Sequence, residues 1–186
     1  MKKFKLGFIV GRFQFFHEGH KSLVDYGLEN CEKFVVLVGS CDKSRTKDNP
    51  FTFEERKEMI ETIYGDKVIV LPIFDLGIGY CPQWGEYLIN SIRFNVGKTP
   101  DFYIGGVEEN RENWLLDSHI TRLLISRSVT PVSATNARIS LAREHLQEME
   151  FMREQGRPFT FDNGFYSKEQ LEKWQEILLI SGTLNF

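Results

Sequence analysis

A compact apolar run, Lys5-Leu6-Gly7-Phe8-Ile9-Val10, ends in a glycine-led turn, Gly11-Arg12-Phe13-Gln14-Phe15-Phe16-His17-Glu18-Gly19-His20, and a helical pattern follows from about Gly19 through Leu23, Val24 and Leu28. Strand, turn and helix in that order put two imidazoles at a helix amino end. The first N–H groups of a helix lack intrahelical partners and carry the positive end of its macrodipole, so a phosphate settles there readily. Gly19 lets a ligand approach the backbone, and each histidine can donate a hydrogen bond to a phosphoryl oxygen. Phosphoryl-type transfer asks chiefly for positioning and charge stabilisation, which such a turn offers.

Spacing alone leaves other readings open. Histidines three apart also serve as a helix cap, a surface pair or half of a metal site. The remaining histidines, His119 and His145, are distant in sequence and no Cys-x-x-Cys accompanies them, so a metal cage held by protein alone is not expected.

Downstream, apolar runs alternate with helical patterns. Phe34-Val35-Val36-Leu37-Val38 reads as a strand buried on both faces and stops at Gly39-Ser40. Residues 41 to 50 are polar and charged, the composition of an exposed loop able to act as a flap. Thr52 and Glu55 make a capping box for a helix through Met59, Ile60 and Ile63 that stops at Gly65. Val68 to Leu71, Phe102 to Ile104 and Arg122 to Ile125 supply further strands, with an amphipathic segment from Trp84 to Val96. The pattern predicts an α/β fold: a Rossmann-like parallel sheet with helices on both faces, joined by right-handed crossovers. Ser133 to Gln155 holds a helix with Leu141, His145, Leu146 and Met149 on one face, and Ser167-x-x-Gln170 caps another through Leu171, Trp174 and Leu178. Residues 1–150 are expected to form one domain, and 151–186 a helical C-terminal extension packed on it or at an oligomer contact.

In such sheets ligands collect beyond the carboxyl ends of the strands. The turn from Gly11 to His20 follows the first strand, Gly39 and Ser40 the second, Asp75 the third, Gly105 and Gly106 the fourth. A net charge of −3 gives no basic field for nucleic acid, yet a local cationic pocket can hold a mononucleotide. Three widely spaced cysteines, Cys31, Cys41 and Cys81, argue against a disulfide framework and suit the cytoplasm. The apolar stretch after Met1-Lys2-Lys3 is broken by Gly11 and Arg12, too short for a signal or a spanning helix, so no membrane partner is expected.

Strand, Gly-Arg-Phe-Gln-x-Phe-His-x-Gly-His and helix resemble the adenylyltransferases of the nucleotidyltransferase superfamily, specifically the nicotinamide mononucleotide branch of archaea and bacterial bifunctional proteins. The Gly-Arg-Phe-Gln opening discriminates, because relatives acting on other phosphates usually open Gly-Ser/Thr-Phe-Asp/Asn. Asn49-Pro50-Phe51-Thr52-Phe53-Glu54-Glu55-Arg56 is similar to a second family segment, and Val132-Ser133-Ala134-Thr135-Asn136-Ala137-Arg138 to a third. The resemblance covers about residues 5 to 140.

It implies transfer of AMP from ATP, carrying Mg2+, to nicotinamide mononucleotide (NMN), giving NAD and pyrophosphate. A sister enzyme using nicotinate mononucleotide or CTP, or a silent nucleotide sensor, are the alternatives. By the same resemblance His17 and His20 stabilise charge on the transferred phosphate, and Arg12 contacts nucleotide phosphates; a surface ion pair is the plainer reading of Arg12. Arg138 grips the β- and γ-phosphates, with hydroxyls from Ser133 and Thr135 that serve equally well as caps. Trp84 stacks on the pyridine ring, unless it is ordinary core, and Asp75 contacts the ring substituent. Gly11, Phe13, Gly19, Gly39, Ser40, Gly105 and Gly106 complete the expected nucleotide-binding set. Four departures stand out. Asp48 takes the place of a phosphate-binding arginine, for which Lys47 or Arg45 would substitute; Phe15 replaces a proline; Gly106 replaces an asparagine; and Trp84 stands nine positions after Asp75, a longer spacing than the family's.

Overall fold

The computed structural model describes residues 2–106, 114–115, 119–125, 135–143 and 165–184. Five parallel strands form its sheet: β1 (Phe4–Gly11), β2 (Cys31–Val38), β3 (Val68–Pro72), β4 (Phe102–Gly106) and β5 (Thr121–Ile125), in the order β3-β2-β1-β4-β5. The helices are α1 (Glu18–Asn30), α2 (Phe53–Tyr64), α3 (Pro82–Val96), α4 over residues 135–143, and α5 (Lys168–Ile180). Strand order reverses direction at β1, whose neighbours are β2 and β4, so a crevice opens beyond the carboxyl ends of β1 and β4. Among the described residues no helix is long and apolar enough to cross a membrane.

The strands read as continuous apolar runs because both sheet faces are covered. Phe34, Val36 and Val38 of β2 join one core with Val24 of α1, Met59 and Ile60 of α2, Leu141 of α4 and Trp174 of α5. The alternate residues Val35 and Leu37 join a second core with Leu88, Ile89 and Ile92 of α3. Strand periodicity thus divides one sequence run between two cores. Gly27 brings α1 close to the sheet, since a Cβ there would lie 2.2 Å from the Phe34 ring.

Helix α5 lies on the first of these cores. Trp174 is fully buried, its ring edge-on to Tyr166 at 4.6 Å and to Phe15 at 5.8 Å. Burial of an aromatic of this size, ~150–250 Å² at ~25 cal/mol per Å², stabilises by roughly 4–6 kcal/mol, offset by an indole N–H buried without a partner among the described residues. Lys173 pairs with Glu58 at 2.8 Å, Gln170 donates to Thr62 Oγ1, and Gln175 donates to the Leu141 carbonyl. The residues His145, Leu146 and Met149 expected on one helix face, and residues 151–164, lie outside the described residues.

Candidate active site

The cleft is built outward from the turn that follows β1. Phe13, fully enclosed, has a left-handed backbone (φ 49°), an uncommon conformation for a residue with a side chain. Its ring lies over Gly11, where a Cβ would come within 3.0 Å. Gln14 then fixes the turn from outside: its Nε2 donates to the Phe51 carbonyl at 3.0 Å and its Oε1 accepts from the Phe51 N–H at 2.9 Å. Phe15 wedges between Phe51, Tyr166 and Trp174, and Tyr166 donates to the Phe16 carbonyl. The terminal helix therefore braces the underside of this turn.

Cap and functional readings of the histidines coincide in the same two rings. His17 is the N-cap of α1 and its Nδ1 accepts from the Gly19 N–H at 3.1 Å, while His20 Nδ1 accepts from the His17 N–H at 3.5 Å. The rings stack with centroids 3.8 Å apart, and Phe13 and Phe16 pack on His20. Assigned from these bonds, a neutral imidazole at either position carries its proton on Nε2, away from the cap. Both rings line the cleft. Among the described residues no group of three or more His, Cys, Asp or Glu is placed to hold a metal ion.

Arg56, to which the sequence assigned no role beyond closing the second motif, holds the floor. It is fully buried and donates to the carbonyls of Arg12 and Gly39, both at 2.7 Å, Ser40 at 3.1 Å and Thr52 at 3.0 Å. One guanidinium thereby ties the ends of β1 and β2 to the start of α2. Burial lowers its pKa to about 10, so it remains cationic at neutral pH. The signal was present in the sequence: Arg56 shares the i, i+3, i+4, i+7 face with Met59, Ile60 and Ile63, where an apolar residue belongs.

Residues 41–50 are largely exposed, as their composition predicts, but the segment folds back onto α2. Arg45 donates to both Glu55 oxygens at 2.7 and 2.6 Å and to the Pro50 carbonyl at 2.9 Å. Neither Arg45 nor Lys47, the two cations expected to substitute at position 48, is among the described residues that line the cleft. Burial pushes the Glu55 carboxyl up, but Arg45 and the Thr52 N–H outweigh it and hold the carboxyl below its ordinary 4.5. A carboxyl with a depressed folded pKa contributes stability above its unfolded value and loses it as pH falls through the folded one. Below pH 4.5 the wild type should therefore lose stability faster than Glu55→Gln, as read by urea midpoints across pH; parallel slopes would contradict the pairing.

The cleft has a volume of about 660 Å³, within the range of small-molecule sites. Gly11, Arg12, Phe13, His17, Gly19, His20, Gly39, Ser40, Asp75, Trp84, Gly105, Gly106, Thr135 and Arg138 all line it, so the fold gathers the sequence candidates at one place. Ser133 lies outside the described residues. Among the described residues Arg12, Lys43 and Arg138 are the lining cations and Asp75 the lining carboxylate. Arg12 is exposed, and among the described residues its guanidinium has no hydrogen-bond partner. Arg138 is buried, donating to the Gln14 carbonyl and to Thr135 Oγ1. Burial first, and then Arg12, lowers its pKa. Lys43 Nζ meets Asp75 Oδ2 at 2.7 Å, and Asp75 also accepts from the Gly77 N–H. Their mutual bond raises the lysine and lowers the aspartate, so both are charged at neutral pH.

Trp84 is half-buried and does two things. It packs against the α3 core beside Tyr87 and also lines the cleft, while its indole Nε1 is buried without a partner among the described residues. The extra residues before it form the loop after β3, which exposes Phe74, Leu76, Ile78 and Tyr80. Gly105 is required by its neighbour, because a Cβ there would sit 2.2 Å from the Tyr103 hydroxyl.

Residues 8–155 match the model of the cytidylyltransferase-like family. The chain is 38% identical over 88 residues to a nicotinamide-nucleotide adenylyltransferase of Saccharolobus solfataricus, covering 44% of this chain and 50% of that protein. It is 41% identical over 63 residues to one from Thermococcus sibiricus, 34% of each chain. The match thus spans half or less of the length of these curated relatives. Among solved structures it is similar to a bifunctional NMN adenylyltransferase/ADP ribose pyrophosphatase from Francisella tularensis complexed with AMP and a manganese ion, with a TM-score of 0.69 at 20% identity over 96% of this chain and 52% of that one. That likeness is one of fold, and it spans α5 as well as the sheet. With the family model matching most of its length, a range that takes in the histidine turn, the buried arginine and most of the parallel sheet, the chain belongs to the cytidylyltransferase-like family.

Proposed function

We propose that this chain transfers the adenylyl group of ATP to nicotinamide mononucleotide, giving NAD and pyrophosphate in the cytoplasm. The reading rests above all on one observation: two cap-locked imidazoles line a cleft with Arg12 and Arg138 at the point where strand order reverses. The adenylyltransferase names of the archaeal relatives support it. Residues 1–150 form the transferase domain in this reading, and 151–186 its extension.

An oxygen of the acceptor's phosphate attacks the α-phosphorus of ATP. As that P–O bond forms, the bond from the α-phosphorus to the bridging oxygen breaks and its electron pair leaves with pyrophosphate. The nucleophile is already anionic at neutral pH, so no strong general base is needed. His17 and His20 donate from Nε2 to the α-phosphoryl oxygens, where charge develops. Arg138 turns its guanidinium to the β- and γ-phosphates, with Ser133 and Thr135 beside it, and Arg12 forks onto phosphate oxygens. The backbone at Gly11, Phe13, Gly19, Gly39 and Ser40 forms the phosphate-bearing wall, and Gly105 and Gly106 leave room for the nucleoside. Trp84 stacks on the pyridinium, a contact worth ~0.5–2 kcal/mol, and Asp75 contacts the ring substituent. Among the described residues the lining carboxylate, Asp75, is engaged by Lys43, a donor set that fits Mg2+ carried on the triphosphate rather than in a protein cage. Bound there, the ion neutralises phosphate charge.

The test is pyrophosphate release measured with NMN and with nicotinate mononucleotide, each against ATP and CTP. The pair NMN and ATP should give the highest kcat/KM. A higher value for another pair would reassign the acceptor or donor, and no release with any pair would favour a nucleotide sensor.

A further inference from the structure

Strand order divides the cleft into two halves. The ends of β2 and β3 stand on one side of β1, those of β4 and β5 on the other, and the histidine pair leaves β1 between them. Arg138, on α4 after β5, donates to the Gln14 carbonyl, whereas Lys43, after β2, meets Asp75, after β3; with Arg12, near enough to act on the charge of both, they are the cations lining the cleft among the described residues. Two substrates meeting at one phosphorus need an anion site on each side.

Lys43 differs from its neighbours in what it binds. Arg138 is buried against a main-chain carbonyl, Arg45 is engaged by Glu55, and position 48 is acidic. The Lys43 ammonium, half-exposed at the cleft, instead meets a carboxylate from a different loop, Asp75, 32 residues away. A carboxylate is the protein group nearest in charge and acceptor geometry to a phosphate. In that loop Gly77 and Gly79 are left-handed, a Cβ at either would meet nothing within 4 Å, and Leu76 and Ile78 are exposed.

We propose that Lys43 binds the phosphate of the acceptor mononucleotide, and that Asp75 holds its ammonium toward the cleft until that phosphate takes it over. The inference rests on the adenylyltransferase reading above. It makes Lys43, on the 41–50 segment, the cation that compensates for the acidic residue at position 48.

The experiment compares wild type, Lys43→Met and Lys43→Arg by KM for NMN, KM for ATP and inhibition by nicotinamide riboside, which lacks the phosphate. Lys43→Met should raise the NMN KM about tenfold, as expected for one charge-assisted hydrogen bond at a half-exposed site, with the ATP KM and riboside inhibition unchanged. Lys43→Arg should recover most of the loss. An unchanged NMN KM in Lys43→Met overturns the proposal. So does an equal weakening of riboside, which would mean that Lys43 acts through loop structure, or a rise in the ATP KM instead, which would put it on the triphosphate. Wild type inactive with NMN and ATP overturns the adenylyltransferase reading and this inference with it, whereas active wild type with an unaffected Lys43→Met overturns this inference alone.

Discussion

His20→Ala should lower kcat by about 10²- to 10³-fold and leave the KM for ATP nearly unchanged, the pattern expected when a donor's bond tightens only as charge develops at the phosphorus. His20 sits inside the first turn of α1 and its Nδ1 is occupied by the His17 N–H, so the proton it offers is on Nε2. Removing the ring deletes that donor and one backbone partner. His17 allows the two duties to be separated. Asparagine caps a helix as well as the residues usually found there, so His17→Asn should keep the folding free energy within about 0.5 kcal/mol of wild type while kcat falls. His17→Ala should lose about 1 kcal/mol in addition. Turnover within about threefold of wild type in His20→Ala would remove the residue from the chemistry.

The largest effect on stability is expected at Arg56. Arg56→Met keeps the aliphatic stem but removes the side-chain donor to the carbonyls of Arg12, Gly39, Ser40 and Thr52; Ser40 and Thr52 retain backbone N–H donors from positions 43 and 56, so the loss falls on Arg12 and Gly39. Buried acceptors left unpaired cost more than the bonds themselves gain, and breaking a buried charged network of this kind destabilises by about 3–5 kcal/mol. Urea unfolding measures this, and Arg56→Lys, which can still reach some of the four oxygens, should fall between. The change should also reach the cleft, because Arg12 and Gly39 line it. A loss below about 1 kcal/mol in Arg56→Met would show that the four bonds do not hold the floor.

How much of this was legible depends on distance along the chain. The strands are continuous apolar runs because both faces are covered, and that composition marks β2 without help from its neighbours. Thr52 with Glu55 and Ser167 with Gln170 satisfy each other across three residues, so both helix starts could be read locally. Element ends were less legible. The helix α1 ends at Asn30 and β2 begins at Cys31 with no turn residue between, so the strand starts three residues before its apolar run.

What escaped the sequence is contact between motifs. Gln14 meets Phe51 across 37 residues and Arg56 meets the Arg12 carbonyl across 44, and no periodicity connects them. The motif spacing brought these residues into view as resemblance; the fold gives the reason, since each motif carries a side chain that satisfies the backbone of another. The polar run 41–50 is largely exposed, as read, but its tie to α2 was hidden for a related cause. Composition distinguishes exposed from buried, but not a free loop from one clamped by Arg45 on Glu55.

The most direct measurement is a crystal structure of the protein with NAD bound, since the product's linkage contains the phosphorus on which the reaction turns. The AMP-side phosphate should lie within hydrogen-bond distance of His17 and His20 Nε2, with the nicotinamide against Trp84. Density for the dinucleotide away from the imidazoles, or rings rotated so that Nε2 meets protein instead of phosphate, would contradict the account.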